Sequence, residues 1–408
     1  MRLLLYIVSS IVLVFFIFVK VTGSEETANE DLETNGNWVG AWSTSMQAPF
    51  NEGVSDEGFE NQTVRQIMYP HADGQKIRIR LSNVFGSESL TINEVYVAVA
   101  EKGAENVPGT EQQITFSRNK SVTIPPGEII YSDPIDFEVK RRKNIAISFF
   151  VQNASGPATW HPRSLQTTYI ATGNHASDSS ASDFQTKEEA WFWVDGLDVI
   201  PNPSYKGAIA VVGSSITNGN YSKLNANNRW TDYLAKRLQE DLGVKMSVLN
   251  AGISANQLIK SDPEKGENAL DRLERDVYSR SGVKGVILHQ GLNDIRHHPE
   301  YGADKIIERI RDIIKETHNQ GLKIYVGTLT PFKGSGMYTE EKEEIRQEVN
   351  KWIRTSDEFD GVIDFDEAVR NPDSPKRFLP RYDSGDHLHP NDAGYKKMTE
   401  AVDLRLFE

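Results

Sequence analysis

The sequence predicts two architectures in succession. An antiparallel β-sandwich is expected over residues 38–200, followed by an α/β domain over 201–408 whose parallel sheet is covered by helices on both faces. Three observations carry this. Apolar residues alternate with period two from Trp38 to about Asp195. From Lys206 onward, short apolar runs alternate with amphipathic helical stretches. Between the two lies "VIPNPSYKG", where two prolines and a glycine interrupt both patterns.

At the N-terminus, Arg2 precedes an apolar run from Leu3 to Val19, which is followed by Lys20 and the small residues of "VTGS". A positive start, an apolar stretch and small residues near Gly23 predict an export signal over 1–23. The run of about 17 residues also meets the lower bound of a membrane span, so an uncleaved anchor is the alternative. The expected location is therefore secreted or extracytoplasmic and membrane-anchored. Residues 24–37, "SEETANEDLETNGN", are acidic and nearly devoid of apolar side chains, which predicts a flexible linker. The absence of cysteine rules out disulfides, thiolate metal sites and lipid attachment through a lipoprotein cysteine.

In the first half, "KIRIRL" alternates Ile77, Ile79 and Leu81 with Lys76, Arg78 and Arg80. The alternation returns at Val95, Val97 and Val99, and at Ile145, Ile147, Phe149 and Val151. "ADGQ", "FGSES", "IPPGE" and "NASGPA" supply turn chemistry between such runs. This predicts strands with one buried face and no long helix.

In the second half, apolar strand-like runs fall at 208–212, 246–249, 286–288, 324–326 and 362–363. Between these runs lie charged amphipathic helical patterns such as "NNRWTDYLAKRLQEDLG" and "ADKIIERIRDIIKETHNQG". In the latter, Ile306, Ile307, Ile310, Ile313 and Ile314 share one face and Gly321 is placed to cap the C-terminus. The formal charge of −13 disfavours a nucleic-acid partner, whose phosphates require clustered Lys and Arg.

Open parallel sheets present ligands at the carboxyl ends of their strands. Four polar loops occupy such positions: "GSSITNG", "NAGIS", "HQGLNDI" and "SGDHLHPNDAGY". Together they hold serine, glycine, asparagine and an Asp-x-x-His pair, the groups that acyl transfer needs as nucleophile, oxyanion donors, base and base-orienter. The final glycine of a G-x-S-x-G elbow is replaced by Thr217, so the α/β-hydrolase turn is not the pattern.

In combination the blocks Gly213-Ser214-Ser215-Ile216-Thr217, Gly252, Gly291-x-Asn293-Asp294 and Asp386-x-x-His389 resemble the SGNH hydrolases, the GDSL esterase and lipase family. Segments such as "WVGAWSTSMQAP" and "VRQIMYPHADGQKIRIRLSNVFG" are similar to secreted members with a β-rich domain ahead of the hydrolase domain. The resemblance implies a three-layer α/β/α, flavodoxin-like C-terminal domain. It implies Ser215 as nucleophile, His389 as general base and Asp386 as its orienting carboxylate. The oxyanion hole would comprise the Ser215 and Gly252 backbone N–H groups and the Asn293 side-chain amide. Ser214 stands where most members carry aspartate, and is expected to bond loop backbone groups.

The expected function is thus a cofactor-independent and metal-independent serine ester hydrolase. Its substrate would be a small-molecule or carbohydrate ester with a short acyl group, with lipid acyl hydrolysis as the alternative. His387 and His389 with Asp386 and Asp392 also admit a metal reading, which lacks a third ligand motif. Trp160, Trp191 and Trp193 admit a non-catalytic carbohydrate-binding reading, against core packing. His297 and His298 are expected at the rim of the site, and His161 either in packing between the halves or lining the cleft.

Overall fold

The computed structural model describes residues 37–201, 204–241, 243 and 245–408. The expected signal or anchor and nearly all of the acidic linker lie outside the described residues, as does part of "VIPNPSYKG". Among the described residues no helix is long and apolar enough to cross a membrane.

Two large antiparallel sheets, with two small two-stranded ones, make up the first half. One large sheet orders β1 (Val39–Ser43), β8 (Val194–Pro201), β3 (Gly74–Ser82) and β5 (Ile135–Val139). The other runs through β7 (Thr168–Thr172), β2 (Gln62–Met68), β6 (Ile145–Val151) and β4 (Glu94–Lys102). Ile77, Ile79 and Leu81 are fully buried against Val95, Val97, Ile145, Ile147 and Phe149, so the period-two reading places the inner faces correctly.

Two outer faces differ from the expectation of solvent. Along β6 every residue is buried, because Phe184, Ala104 and Tyr169 close over Ala146 on the second face. The buried Arg65 supports that layer, its guanidinium 4.1 Å from the Phe184 ring and bonded to the Ala104 and Asp178 carbonyls. On β3 the alternating Arg78 and Arg80 face the second half of the chain. Arg80 lies 2.8 Å from Asp195, which also holds Arg280 at 3.1 Å; Arg78 bonds Asp198, which accepts from the Ser281 hydroxyl. Sequence alternation marks a polar face, and here that face meets protein.

The second half is a five-stranded parallel sheet. Its order is β10 (Lys245–Gly252), β9 (Tyr205–Gly213), β11 (Val283–His289), β12 (Lys323–Gly327) and β13 (Gly361–Ile363). On one face α2 (Gly302–Asn319) and α3 (Glu340–Thr355) bury Ile306, Ile310, Ile313 and Val349; on the other α1 (Trp230–Glu240) and α4 (Asp392–Glu400) bury Trp230, Leu234, Tyr395 and Met398. This is the three-layer α/β/α arrangement.

The two halves belong to one compact unit, Asn37–Glu408. The Gly40 N–H of β1 donates to the Ser281 carbonyl at 2.9 Å, and Val39 packs on Ala208 and Leu249. His71 spans the same junction, 2.7 Å from the Val248 carbonyl and 3.1 Å from Asp232.

Candidate active site

The nucleophile loop follows β9. Gly213 is obligatory there: a Cβ at this position would collide with the Thr217 side chain and the His289 carbonyl. That tight exit lets the chain enter a single helical turn, Ser215–Asn218, opened by Ser215 itself. Ser215 Oγ lies 2.8 Å from His389 Nε2, and His389 Nδ1 lies 2.6 Å from Asp386 Oδ2. Both Ser215 and His389 are buried at 8% exposure, so the bond between them is sheltered from water.

Asp386 also accepts the backbone N–H groups of Leu388 and His389, each at 2.9 Å, and the Ser384 hydroxyl at 2.9 Å. Burial pushes its carboxyl up, but the His389 ring and these backbone donors outweigh burial and hold it well below the usual carboxylate range. It is an ionised, fixed acceptor, which sets the His389 tautomer with Nδ1 protonated and Nε2 free to take a proton.

The expected oxyanion donors need one correction. The Gly252 N–H is already donated to Asn250 Oδ1 at 2.8 Å. Gly252 serves close packing instead, because a Cβ there would collide with the Asn218 backbone N. The Ser254 and Ala255 N–H groups of this loop have no partner among the described residues, and neither has the Ser215 N–H. Ala255 stands at φ +61, a left-handed conformation that orients its N–H unusually for an alanine. Asn293 Nδ2 gives one hydrogen to the Asn256 carbonyl at 3.0 Å and keeps its second; its Oδ1 accepts from Arg296 at 3.0 Å. Asp294 beside it takes the Leu258 and Ile259 N–H groups, which fixes the loop carrying Ala255; burial pushes this carboxyl up to about 6.

Ser214 also departs from expectation. Its hydroxyl makes no hydrogen bond to a described residue, so it satisfies no loop backbone group.

Beneath these loops lies a residue that the sequence did not single out. Arg272, fully buried, donates to the carbonyls of Gly213 (3.2 Å) and Ala251 (2.7 Å), the last turns of β9 and β10. It also reaches Asn256 Oδ1 at 3.1 Å, Ser45 Oγ at 3.2 Å and Asp276 at 3.2 Å. One guanidinium thereby joins the nucleophile strand, the oxyanion loop and the first half of the chain. His161 makes a second such joint: its ring lies 2.8 Å from Asn218 Oδ1 in the nucleophile turn and 2.7 Å from the Ser45 carbonyl. It is 1% exposed and packs rather than lining the cleft.

Residues 211–397 match the model of the GDSL-like lipase/acylhydrolase family. No curated protein sequence matches the chain. Solved structures similar to it include a carbohydrate acetylesterase from Sinorhizobium meliloti, 15% identical, covering 48% of this chain and 95% of that one with a TM-score of 0.38. An aryl esterase of M. smegmatis is 17% identical over 48% of this chain and 95% of its own, with a TM-score of 0.39. A GDSL-like lipase from Bacteroides thetaiotaomicron is 17% identical over 49% and 87%, with a TM-score of 0.36.

The remaining candidates fall outside the hydrogen-bonded chain of the GDSL-like domain. His387 pairs with Asp383 at 2.6 Å and is exposed, while Asp392 is held by the Lys223 N–H and Asn228, so neither converges with His389 on a common point. Trp160, Trp191 and Trp193 are buried at 8%, 5% and 1%, which removes the aromatic surface that a carbohydrate-binding reading needed. His297 and His298 are half-buried at the end of the helical turn Leu292–His297.

His289, which closes β11 under the site, has a further consequence. It is fully enclosed, its Nδ1 has no partner among the described residues, and burial lowers its pKa to about 4. The unfolded chain therefore binds a proton below about pH 6.5 that the fold refuses until about pH 4, and stability falls as pH falls through that window. The loss from this one ring is about 3 kcal/mol. Urea unfolding of the wild type and His289→Gln at pH 7 and pH 4 should show the variant losing that much less.

Proposed function

We propose that the protein is an exported serine esterase that removes short acyl groups, acetyl above all, from carbohydrate through an acyl-Ser215 intermediate. The observation that carries this is the unbroken relay Asp386–His389–Ser215, at 2.6 and 2.8 Å. Ser215 Oγ attacks the ester carbonyl carbon as His389 Nε2 takes its proton. The carbonyl oxygen becomes an oxyanion facing the Ser215 and Ala255 N–H groups and the second Asn293 Nδ2 hydrogen. Collapse breaks the bond to the alcohol, which leaves with the proton from His389. Water then repeats the sequence on the acyl-enzyme and frees the acid.

The N-terminal pattern of Arg2, an apolar run and "VTGS" supports export. The expected metal independence follows from the same relay, which uses no cation.

A chain-length series of nitrophenyl esters, run beside an acetylated polysaccharide and repeated with chelator, tests the reading. Acetate release and preference for short chains, both unaffected by chelator, are expected. Preference for long chains with no acetate released would transfer the assignment to lipid acyl hydrolysis. Inhibition by chelator would revive a metal-dependent mechanism.

A further inference from the structure

Next to the relay lies an open hollow with about 560 Å³ of empty space, lined by Arg163, Leu165, Glu189, Asn220 and Tyr221. Three of these five come from the first half of the chain. The ring of Tyr221 stacks on the His389 imidazole at 5.0 Å and 28°, yet the residue remains 57% exposed, so its other side is open. Because His389 Nε2 must hand its proton to the departing oxygen, the alcohol part of the ester leaves on the His389 side, where Tyr221 both stacks on that ring and lines the hollow.

The polar groups around the hollow are unspent. The Arg163 guanidinium, the Glu189 carboxylate, the Asn220 amide nitrogen and the Tyr221 hydroxyl have no hydrogen-bond or ion-pair partner among the described residues. They are nonetheless held in place. The Arg163 carbonyl accepts from Asn218 Nδ2 at 2.8 Å, the Glu189 carbonyl from the Ser164 N–H at 3.2 Å, and the Asn220 carbonyl from the Tyr395 hydroxyl at 2.6 Å. Arg163, Leu165 and Tyr221 all adopt left-handed conformations, at φ +56, +55 and +67, which costs each of them energy that the surrounding bonds must offset.

We propose that this hollow is the leaving-group subsite and that it takes a neutral, hydroxyl-rich ring: the sugar that carries the ester. One cation and one anion without partners suit neither an anionic nor a cationic alcohol, but both bond hydroxyl groups, as donor and acceptor respectively. An open aromatic face beside them accommodates the apolar face of a pyranose, and the single apolar side chain, Leu165, leaves no wall for a long hydrocarbon. The assignment rests on the ester-hydrolase reading and adds to it which residues choose the alcohol.

The test compares an acetylated xylo-oligosaccharide with nitrophenyl acetate on the full chain, for the wild type, Arg163→Gln and Glu189→Gln, with thermal unfolding as the check on folding. Each substitution should lower the ratio of kcat/KM for the sugar ester to that for nitrophenyl acetate by about tenfold, mainly through KM. An unchanged ratio in both folded variants overturns the subsite. So does wild-type turnover of nitrophenyl acetate with none of the oligosaccharide, which leaves the esterase standing. Turnover of neither substrate removes the ester-hydrolase reading and the subsite with it.

Discussion

Ser215→Ala is expected to fold as the parent does and to lose on the order of 10⁴-fold or more in kcat, about 5 kcal/mol of transition-state stabilisation. The hydroxyl that it removes makes one bond, to His389 Nε2, so little else in the structure depends on it. Ser214→Ala should retain most activity, since the Ser214 hydroxyl bonds no described residue. His389→Ala should match Ser215→Ala in effect, and His387→Ala should be mild because that ring pairs with Asp383 away from the nucleophile. Burst kinetics with a nitrophenyl ester would read all four. Asp386 should add nothing to the acid limb of the wild-type kcat/KM profile. It is held well below the usual carboxylate range and remains charged as pH falls. A dead Ser214→Ala with an active Ser215→Ala would reassign the nucleophile.

Arg272→Met carries the second large effect. Removing this guanidinium takes a buried donor from the Ala251 and Gly213 carbonyls, Asn256 Oδ1 and Asp276, of which Gly213 keeps the Ile253 N–H and Asn256 keeps the Gln290 amide. Breaking a buried ion pair on one side costs roughly 3–5 kcal/mol; Arg275, 2.9 Å from Asp276, keeps that carboxylate partly paired and points to the lower figure. The catalytic cost is separate. With the ends of β9 and β10 untethered, Ser215 and Ala255 lose their mutual placement, and a displacement of about 1 Å lowers the rate by roughly 100-fold. A drop in kcat with KM little changed, in a variant whose folding is verified by circular dichroism, is the expected pattern. Arg272→Lys should recover stability better than rate, because one ammonium cannot reach the separate carbonyls that a planar guanidinium spans. Equal recovery of both would reduce Arg272 to a packing role.

The sequence made the scaffold legible where one periodicity meets one core. The isoleucines of 306–314 and the alternation at 77–81 map directly onto buried faces, because burial on a single side leaves a repeat in the chain. Ser215, Asp386 and His389 were legible because each needs a reactive side chain at a strand end. Ala255 was not: what it offers is an unpartnered backbone N–H at a left-handed φ, and alanine advertises neither. Gly252 attracted the oxyanion role through its type, yet that glycine is required by the Asn218 backbone against it. Arg80 and Arg272 read as ordinary charges, since nothing local reveals that a carboxylate and several carbonyls from distant segments will surround them. Tyr221 was missed for the opposite reason: an exposed aromatic leaves no pattern.

The placement of β1 against the second half also governs how the molecule is made. Gly40 bonds Ser281, and Ser45 meets Arg272 from 227 positions away. The strand synthesised first among the described residues pairs with β8 in its own half, but meets Ser281 and Arg272 only after most of the chain has emerged. Closure of loops that long is slow, and until then the edges of the growing sheets stay unpaired. Such a chain cannot complete the junction between its halves until the late segments emerge. It must be kept from aggregating until its late segments arrive, so yield in any host should be limited by the handling of the nascent polypeptide before it is limited by the stability of the finished enzyme.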